Sequence, residues 1–179
     1  MSPMKGQKIF LRAVELNDVD MLYELENEPD IWHLSDTLMP FSRFALEQYV
    51  IESSTRDIYA TKQLRLIIAE NDSKKLVGAI DLYDFNPIHK RAGVGILITK
   101  TYRKKGYASD ALSVLIHYAF STLQLHQLFC GISSNNIMSI ELFKKHNFIQ
   151  TGCLKNWRLK DNNYYDELFF QLINPNDKV

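Results

Sequence analysis

The sequence predicts an α/β fold: a mixed, twisted β-sheet with helices on both faces. Three observations carry this. Strand-length apolar runs recur along the chain. Two of them lead directly into helical patterns, which implies parallel pairing, and others are joined by short turn-rich segments, which implies hairpins. At 179 residues, with 46% hydrophobic and 23% charged residues, the chain suits one domain over residues 1–179 with a buried core. No repeat, low-complexity tract or Pro/Gly-rich linker marks an internal boundary.

The elements follow in order. "KIFLRA" (residues 8–13) alternates as a first strand, and Asn17 is placed to cap a helix over "DVDMLYELEN" (residues 18–27), whose Val19, Leu22 and Leu25 form an apolar stripe. "EPDIWHLSDTLMPF" (residues 28–41) has the Pro and Asp content of a loop. "SRFALEQYVIESS" (residues 42–54) is a second helix with Ser42 as its cap. Three strands come next, "LRLIIAE", "KLVGAIDLYDF" and "AGVGILIT", the first two joined by the turn-rich "NDSKK". A helix runs from Tyr107 to about Leu123, with Ala108, Ala111, Leu112, Leu115 and Ala119 at helical spacing. Then follow the strand "QLFCGIS", the helix "NIMSIELFKKH", and a closing hairpin of "FIQTGCLKNWRL" and "YYDELFFQLI" about "KDNN".

Composition excludes several function classes. Lys+Arg and Asp+Glu are both 21, and zero net charge argues against a nucleic-acid partner. Cys130 and Cys153 are too few for a disulfide framework and lack metal-ligand spacing, as do the five histidines, so no metal is implied. Cys130, within "LFCGI", reads as a buried thiol. "MSPMKGQKIF" lacks an apolar signal core, and no segment reaches membrane-spanning length, so the expectation is a cytoplasmic protein with no membrane partner.

The candidate site begins at "YRKKGYA" (residues 102–108), where a strand breaks before a helix. A helix start leaves backbone N–H groups unpartnered and partly positive, which suits phosphate. Gly106 lets a ligand approach the main chain, and Lys104 and Lys105 add charge. Neither the Walker spacing nor G-x-G-x-x-G is present. Alone, the segment reads equally as a solvated basic loop. The second feature is "ISSNNIMSIELFKKHNF", where another strand ends in Asn135-Asn136 and another helix begins. Two adjacent parallel strands that each end this way splay into a V and leave a cleft at their carboxyl ends, where open α/β sheets bind ligands.

On these residues the chain resembles the GNAT superfamily of acetyl-CoA-dependent N-acetyltransferases, notably its ribosomal-protein N-terminal and polyamine acetyltransferase branches. Arg103-Lys104-Lys105-Gly106-Tyr107-Ala108 matches the family's R/Q-x-x-G-x-G/A pyrophosphate loop. Asn136-Ile137-Met138-Ser139, then Phe143 and Asn147-Phe148, matches its N-x-x-S/A motif. "LRAVELNDVDMLYEL" and "FNPIHKRAGVGILI" are similar to this branch's opening and central sheet.

The resemblance implies transfer of an acetyl group from acetyl-CoA, the co-substrate, to a primary amine by direct attack in a ternary complex. The acceptor would be a small amine or polyamine, an amino compound or a protein N-terminus. It implies backbone contacts from Leu97, Ile98 and Thr99 to the pantetheine arm. It places the amides of Lys104 to Ala108 at the pyrophosphate and the Asn136 side chain on the opposite wall. Lys145 meets either the distal phosphate or solvent. An alkylammonium of pKa ~10 must first lose a proton, and a carboxylate suits that role. Asp81 and Asp84 lie in one strand on opposite faces unless a bulge intervenes. Asp84, nearer the strand's carboxyl end, is the expected catalytic carboxylate. Both aspartates, with Trp32 and Tyr83, are candidate acceptor contacts. Ordinary core packing is the competing role for the aromatics, Phe41 included, and loop capping for the aspartates.

Departures from the family pattern are equally specific. Phe143 stands where the family often has a general-acid tyrosine, so Ser139, one turn earlier, is the candidate proton donor, against a plain helix-start role. Polyamine acetyltransferases tend to carry paired glutamates where this loop reads "LSDTLMPF", and a glutamate where Gly93 stands. Asp30, Asp36, Asp81 and Asp84 remain as carboxylates for a cationic amine. The alternative to an enzyme is a catalytically weak, regulatory CoA-binding module. The closing hairpin and family habit imply a homodimer or larger homo-oligomer.

Overall fold

The computed structural model describes residues 4–32 and 37–177. His33 and Asp36 fall outside the described residues. All seven strands join one sheet in the order β1-β2-β3-β4-β5-β7-β6. They are β1 (Ile9–Ala13), β2 (Leu64–Glu70), β3 (Leu76–Asn86), β4 (Arg91–Ile98), β5 (Gln127–Ser133), β6 (Ile149–Lys160) and β7 (Asn163–Ile173). Each pairing is antiparallel except β4 with β5, as the intervening helix requires. The predicted hairpin β6–β7 forms, with β7 on the inside and β6 at the sheet edge.

The helices are α1 (Val19–Glu26), α2 (Arg43–Thr55), α3 (Ile58–Thr61), α4 (Tyr107–Ser121) and α5 (Ile137–Lys145). Strand alternation sorts the core into two faces. Leu66, Ile68, Ile80 and Leu82 pack with Leu112 and Leu115 of α4 and Phe143 of α5. Ile67 points the other way and packs with Leu22 of α1 and Leu46 and Val50 of α2. Cys130 lies in the first cluster at 2% exposure, the buried thiol expected, and burial pushes its pKa well up.

Ser42 caps α2 as predicted, its Oγ accepting the Ala45 N–H at 3.1 Å. Asn17 does not cap α1. It sits inside a 3₁₀ turn (Leu16–Asp18), and the fully buried Asp18 carboxylate accepts the Glu15 N–H at 2.8 Å instead. Arg12 fixes that carboxylate with two bonds of 2.6 and 2.7 Å, an anchor from β1 that no local pattern announces. The short α3 also lacks a helical period long enough to read from sequence.

Candidate active site

The central parallel pair is short. β4 and β5 pair only at Arg91–Gln127, Ala92–Leu128 and Gly93–Phe129. Beyond these the strands diverge toward their carboxyl ends, forming the expected V. Three hollows occupy it. The mouth is a cavity of about 360 Å³ lined by Ile96, Leu97 and Ile98 of β4, Gly106 to Ser109, and Asn136 and Ser139. The floor, about 130 Å³, lies between Val94, Ile96, Cys130 and Ile132 and also touches Asn136, Ser139 and Phe143. On the α1 face a hollow of about 410 Å³ holds Glu26, Arg65, Asp81, Tyr83, Arg158 and Glu167. Ile96 lines all three hollows, which therefore adjoin one another.

At the mouth, Gly106 is the residue before α4 and adopts φ 85°. That left-handed conformation costs an L-residue roughly 1–2 kcal/mol. No side chain caps α4, so its first N–H groups remain for an anion. Lys8 closes the loop from behind, donating from Nζ to the Lys105 carbonyl at 3.0 Å. The Asp110 carboxylate accepts the N–H groups of Gln7, Lys8 and Ile9 and thereby ties the chain's start to α4. Asn136 begins α5, its Oδ1 accepting the Ser139 N–H at 3.2 Å, so its NH₂ end is what it can offer a ligand.

The structure separates the sequence-derived candidates. Leu97, Ile98, Arg103, Lys104, Gly106, Tyr107, Ala108, Asn136 and Ser139 meet at the mouth. Arg103 turns its side chain inward, donating from Nε to the Ile98 carbonyl at 2.9 Å and pairing with Glu28 at 3.4 Å. Lys105 directs Nζ over the Tyr102 ring, 5.0 Å from its centroid. Thr99 gives both N–H and Oγ1 to the Val77 carbonyl, at 3.0 and 3.1 Å, so its N–H serves β3 and not the cleft. Lys145 stands apart, in a separate hollow behind α4 with His117 and Phe120. Phe143 is 3% exposed and packs edge-on against Phe148 at 4.9 Å. Trp32 donates from Nε1 to the Glu26 carbonyl at 3.0 Å, closing the end of α1.

The two aspartates part company. Asp84 has φ 48° in a bulge of β3 and is exposed, in a hollow with Asn86, Arg91 and Gln171. β3 runs antiparallel to β4, so its carboxyl end lies where β4 and β5 are still paired, opposite the cleft. Asp84 is therefore not brought to the V, contrary to expectation. Asp81, opposite Gly95, faces the α1-side hollow. Arg65 grips it through Nε at 2.7 Å and Nη2 at 3.1 Å and reaches Glu26 at 2.5 Å. Those carboxylates raise the Arg65 pKa despite burial, which opposes them as the largest single influence. Tyr83 lies in the same hollow, over Gly93, where a Cβ would meet its ring within 2.3 Å. Burial pushes its phenol up to about 12.

Glu26, Arg65, Arg158 and Glu167 escaped sequence reasoning. A charged residue in the apolar run "LRLIIAE" was the available sign for Arg65, whose strand partner is Asp81. Arg158 holds Glu167 across the β6–β7 hairpin with bonds of 2.6 and 3.2 Å.

With this geometry in view, the profile of the acetyltransferase (GNAT) domain matches residues 8–149. The chain belongs to that family. Among similar curated proteins, spermidine N(1)-acetyltransferase of Vibrio cholerae is 25% identical over 152 residues, covering 83% of each chain. Its counterpart in Escherichia coli K12 is 27% identical over 148 residues, 82% of this chain and 76% of that one. The crystal structure of the V. cholerae enzyme with CoA and spermine superposes with a TM-score of 0.83 at 23% identity, over 94% of this chain and 96% of that one. The protein is thus an N-acetyltransferase-family enzyme with the matching fold.

Proposed function

We propose that the protein transfers an acetyl group from acetyl-CoA to a primary amine. The observation that carries this is the set of three adjoining hollows at the splay, which sets an anion-ready helix start near a carboxylate-bearing hollow. The mouth fits the co-substrate, with a left-handed Gly106 and uncapped N–H groups at α4. Those amides would hold the pyrophosphate, while Ile96 and Leu97 on one wall and the Asn136 NH₂ on the other would flank the pantetheine arm. Acetyl-CoA, when bound, supplies a thioester to the floor of the V.

The chain's own residues do the rest. Asp81 and Glu26, oriented by Arg65, hold the amine in the α1-side hollow, and Asp81 is the carboxylate placed to steer its proton away. Ser139 reaches both mouth and floor and is the hydroxyl placed to protonate the departing thiolate. A second reading, a weak CoA-binding module, is favoured by one observation, the buried and non-ionisable Phe143. We also propose a cytoplasmic location and self-association through the terminal hairpin, where Trp157 and Tyr164 are 61% and 63% exposed. A V. cholerae relative is described as dodecameric.

CoA binding by calorimetry and thiol release against a panel of amines test the main reading. Gly106→Asp sets a carboxylate and a strained φ against the phosphates, and CoA affinity is expected to fall by about tenfold or more. Unchanged affinity would remove the pyrophosphate assignment. Binding without turnover on any amine favours the second reading.

A further inference from the structure

One short stretch of chain walls both substrate hollows. Glu26 and Ile31 line the hollow on the α1 face, and Asp30 and Ile31 line the mouth. Between them lies a single 3₁₀ turn, Pro29–Ile31, too short to hold its own place. Its position is set by what grips it. At one end Arg65 takes Glu26 at 2.5 Å, and the Trp32 Nε1 donates to the Glu26 carbonyl at 3.0 Å. In the middle the grip is Arg103, 75 positions along the chain from Glu28. Its Nη2 lies 3.4 Å from the Glu28 Oε2, while its Nε donates to the Ile98 carbonyl at 2.9 Å. Lys100 also reaches Asp30 at 3.6 Å, but both side chains are 73% exposed, and such a pair contributes little.

The Arg103 pair is better shielded. The Glu28 side chain is 19% exposed, and its second oxygen, Oε1, is buried with no hydrogen-bond partner among the described residues. Without Arg103 that carboxylate would stay shielded and lose its ion-pair partner, so the turn would have to shift to hydrate it. The pairing also changes what Arg103 can offer. A guanidinium held by one carboxylate and one carbonyl brings little net charge to a neighbouring pyrophosphate.

We propose that Arg103 is a positioning residue for the amine acceptor. It braces residues 28–31 against the end of β4 and so sets the wall that the two hollows share, while the pyrophosphate is left to the backbone amides of the loop. This rests on the acetyltransferase reading above and deepens it.

Three variants test the brace: Arg103→Met, which keeps the aliphatic stem, Glu28→Gln, and the two combined. Calorimetry with CoA is expected to give each a Kd within about threefold of the wild type. Thiol release is then followed with acetyl-CoA and spermidine as the amine probe. In Arg103→Met the KM for spermidine is expected to rise about fivefold or more, with a smaller change in kcat. The combined variant should recover part of that rise, because a buried amide costs less than a buried carboxylate without its partner. A larger loss of CoA affinity in Arg103→Met makes its side chain a phosphate ligand and overturns the proposal. A smaller rise in KM, or no recovery in the combined variant, overturns it too. Should Arg103→Met fail to fold, Glu28→Gln decides: a raised KM for spermidine with CoA affinity kept upholds the brace, and an unmoved KM overturns it. Wild-type CoA binding without thiol release overturns the acceptor role and leaves the cofactor site standing. Absence of CoA binding overturns the acetyltransferase reading as well.

Discussion

In the proposed chemistry the roles assigned to single residues turn on orientation more than type. Ser139 is the clearest case, because Phe143 offers no proton and Ser139 lines both the mouth and the floor of the cleft. Ser139→Ala is expected to lower kcat by roughly tenfold or more, with the KM for acetyl-CoA little changed, since proton transfer contributes at least that much. An unaltered kcat would leave Ser139 as a helix-start residue only. Much of the proposed cofactor side was legible at this scale: a glycine before a helix and an asparagine starting another are local signals, and both residues lie at helix starts. The acceptor side was not. Asp84 was favoured on its place along its strand, but the end of a strand means little until the direction of its neighbour is known. Glu26 and Arg65 lie 39 positions apart in sequence and meet only in the fold.

At the scale of elements, α5 joins site to stability. His146 ends it, where the helix dipole would favour a protonated ring, yet its Nε2 lies 2.8 Å from the Ser109 Oγ of α4 in a half-buried setting. Burial prevails over the dipole and lowers the His146 pKa from its ordinary 6.5, with Lys145 adding to the effect. The folded state then binds fewer protons than the unfolded chain just below that value. Stability is therefore present above pH 6.5 and is lost as the pH falls toward and through the folded pKa. Thermal unfolding between about pH 7 and 5 should show this loss, and His146→Gln, which removes the titration, should flatten it. An equal acid sensitivity in both proteins would contradict it. Strands and long helices were readable because their apolar periods are local. The Asp18 cap was not, since the partner that buries it, Arg12, lies on another element.

For the whole molecule, the proposed self-association would use exposed apolar residues of β6 and β7, among them Leu154, Trp157, Leu159 and Tyr164. Light scattering is expected to give a mass at least twice the 20.8 kDa of the chain, and Trp157→Glu should reduce it. A wild-type monomer at micromolar concentration would rule the hairpin out as an interface. The sequence could place seven strands but not their spatial order, because β7 enters between β5 and β6 only through long-range pairing. The three-pair contact of β4 with β5 has a further consequence. Most sheets have strand edges only at their outer rims, where they invite pairing with other chains. Here two such edges lie inside the sheet, unpaired with each other beyond Gly93 and Phe129. A ligand threaded with amides is the natural guest for both, and in binding it would behave as a borrowed strand, completing the sheet across its own gap.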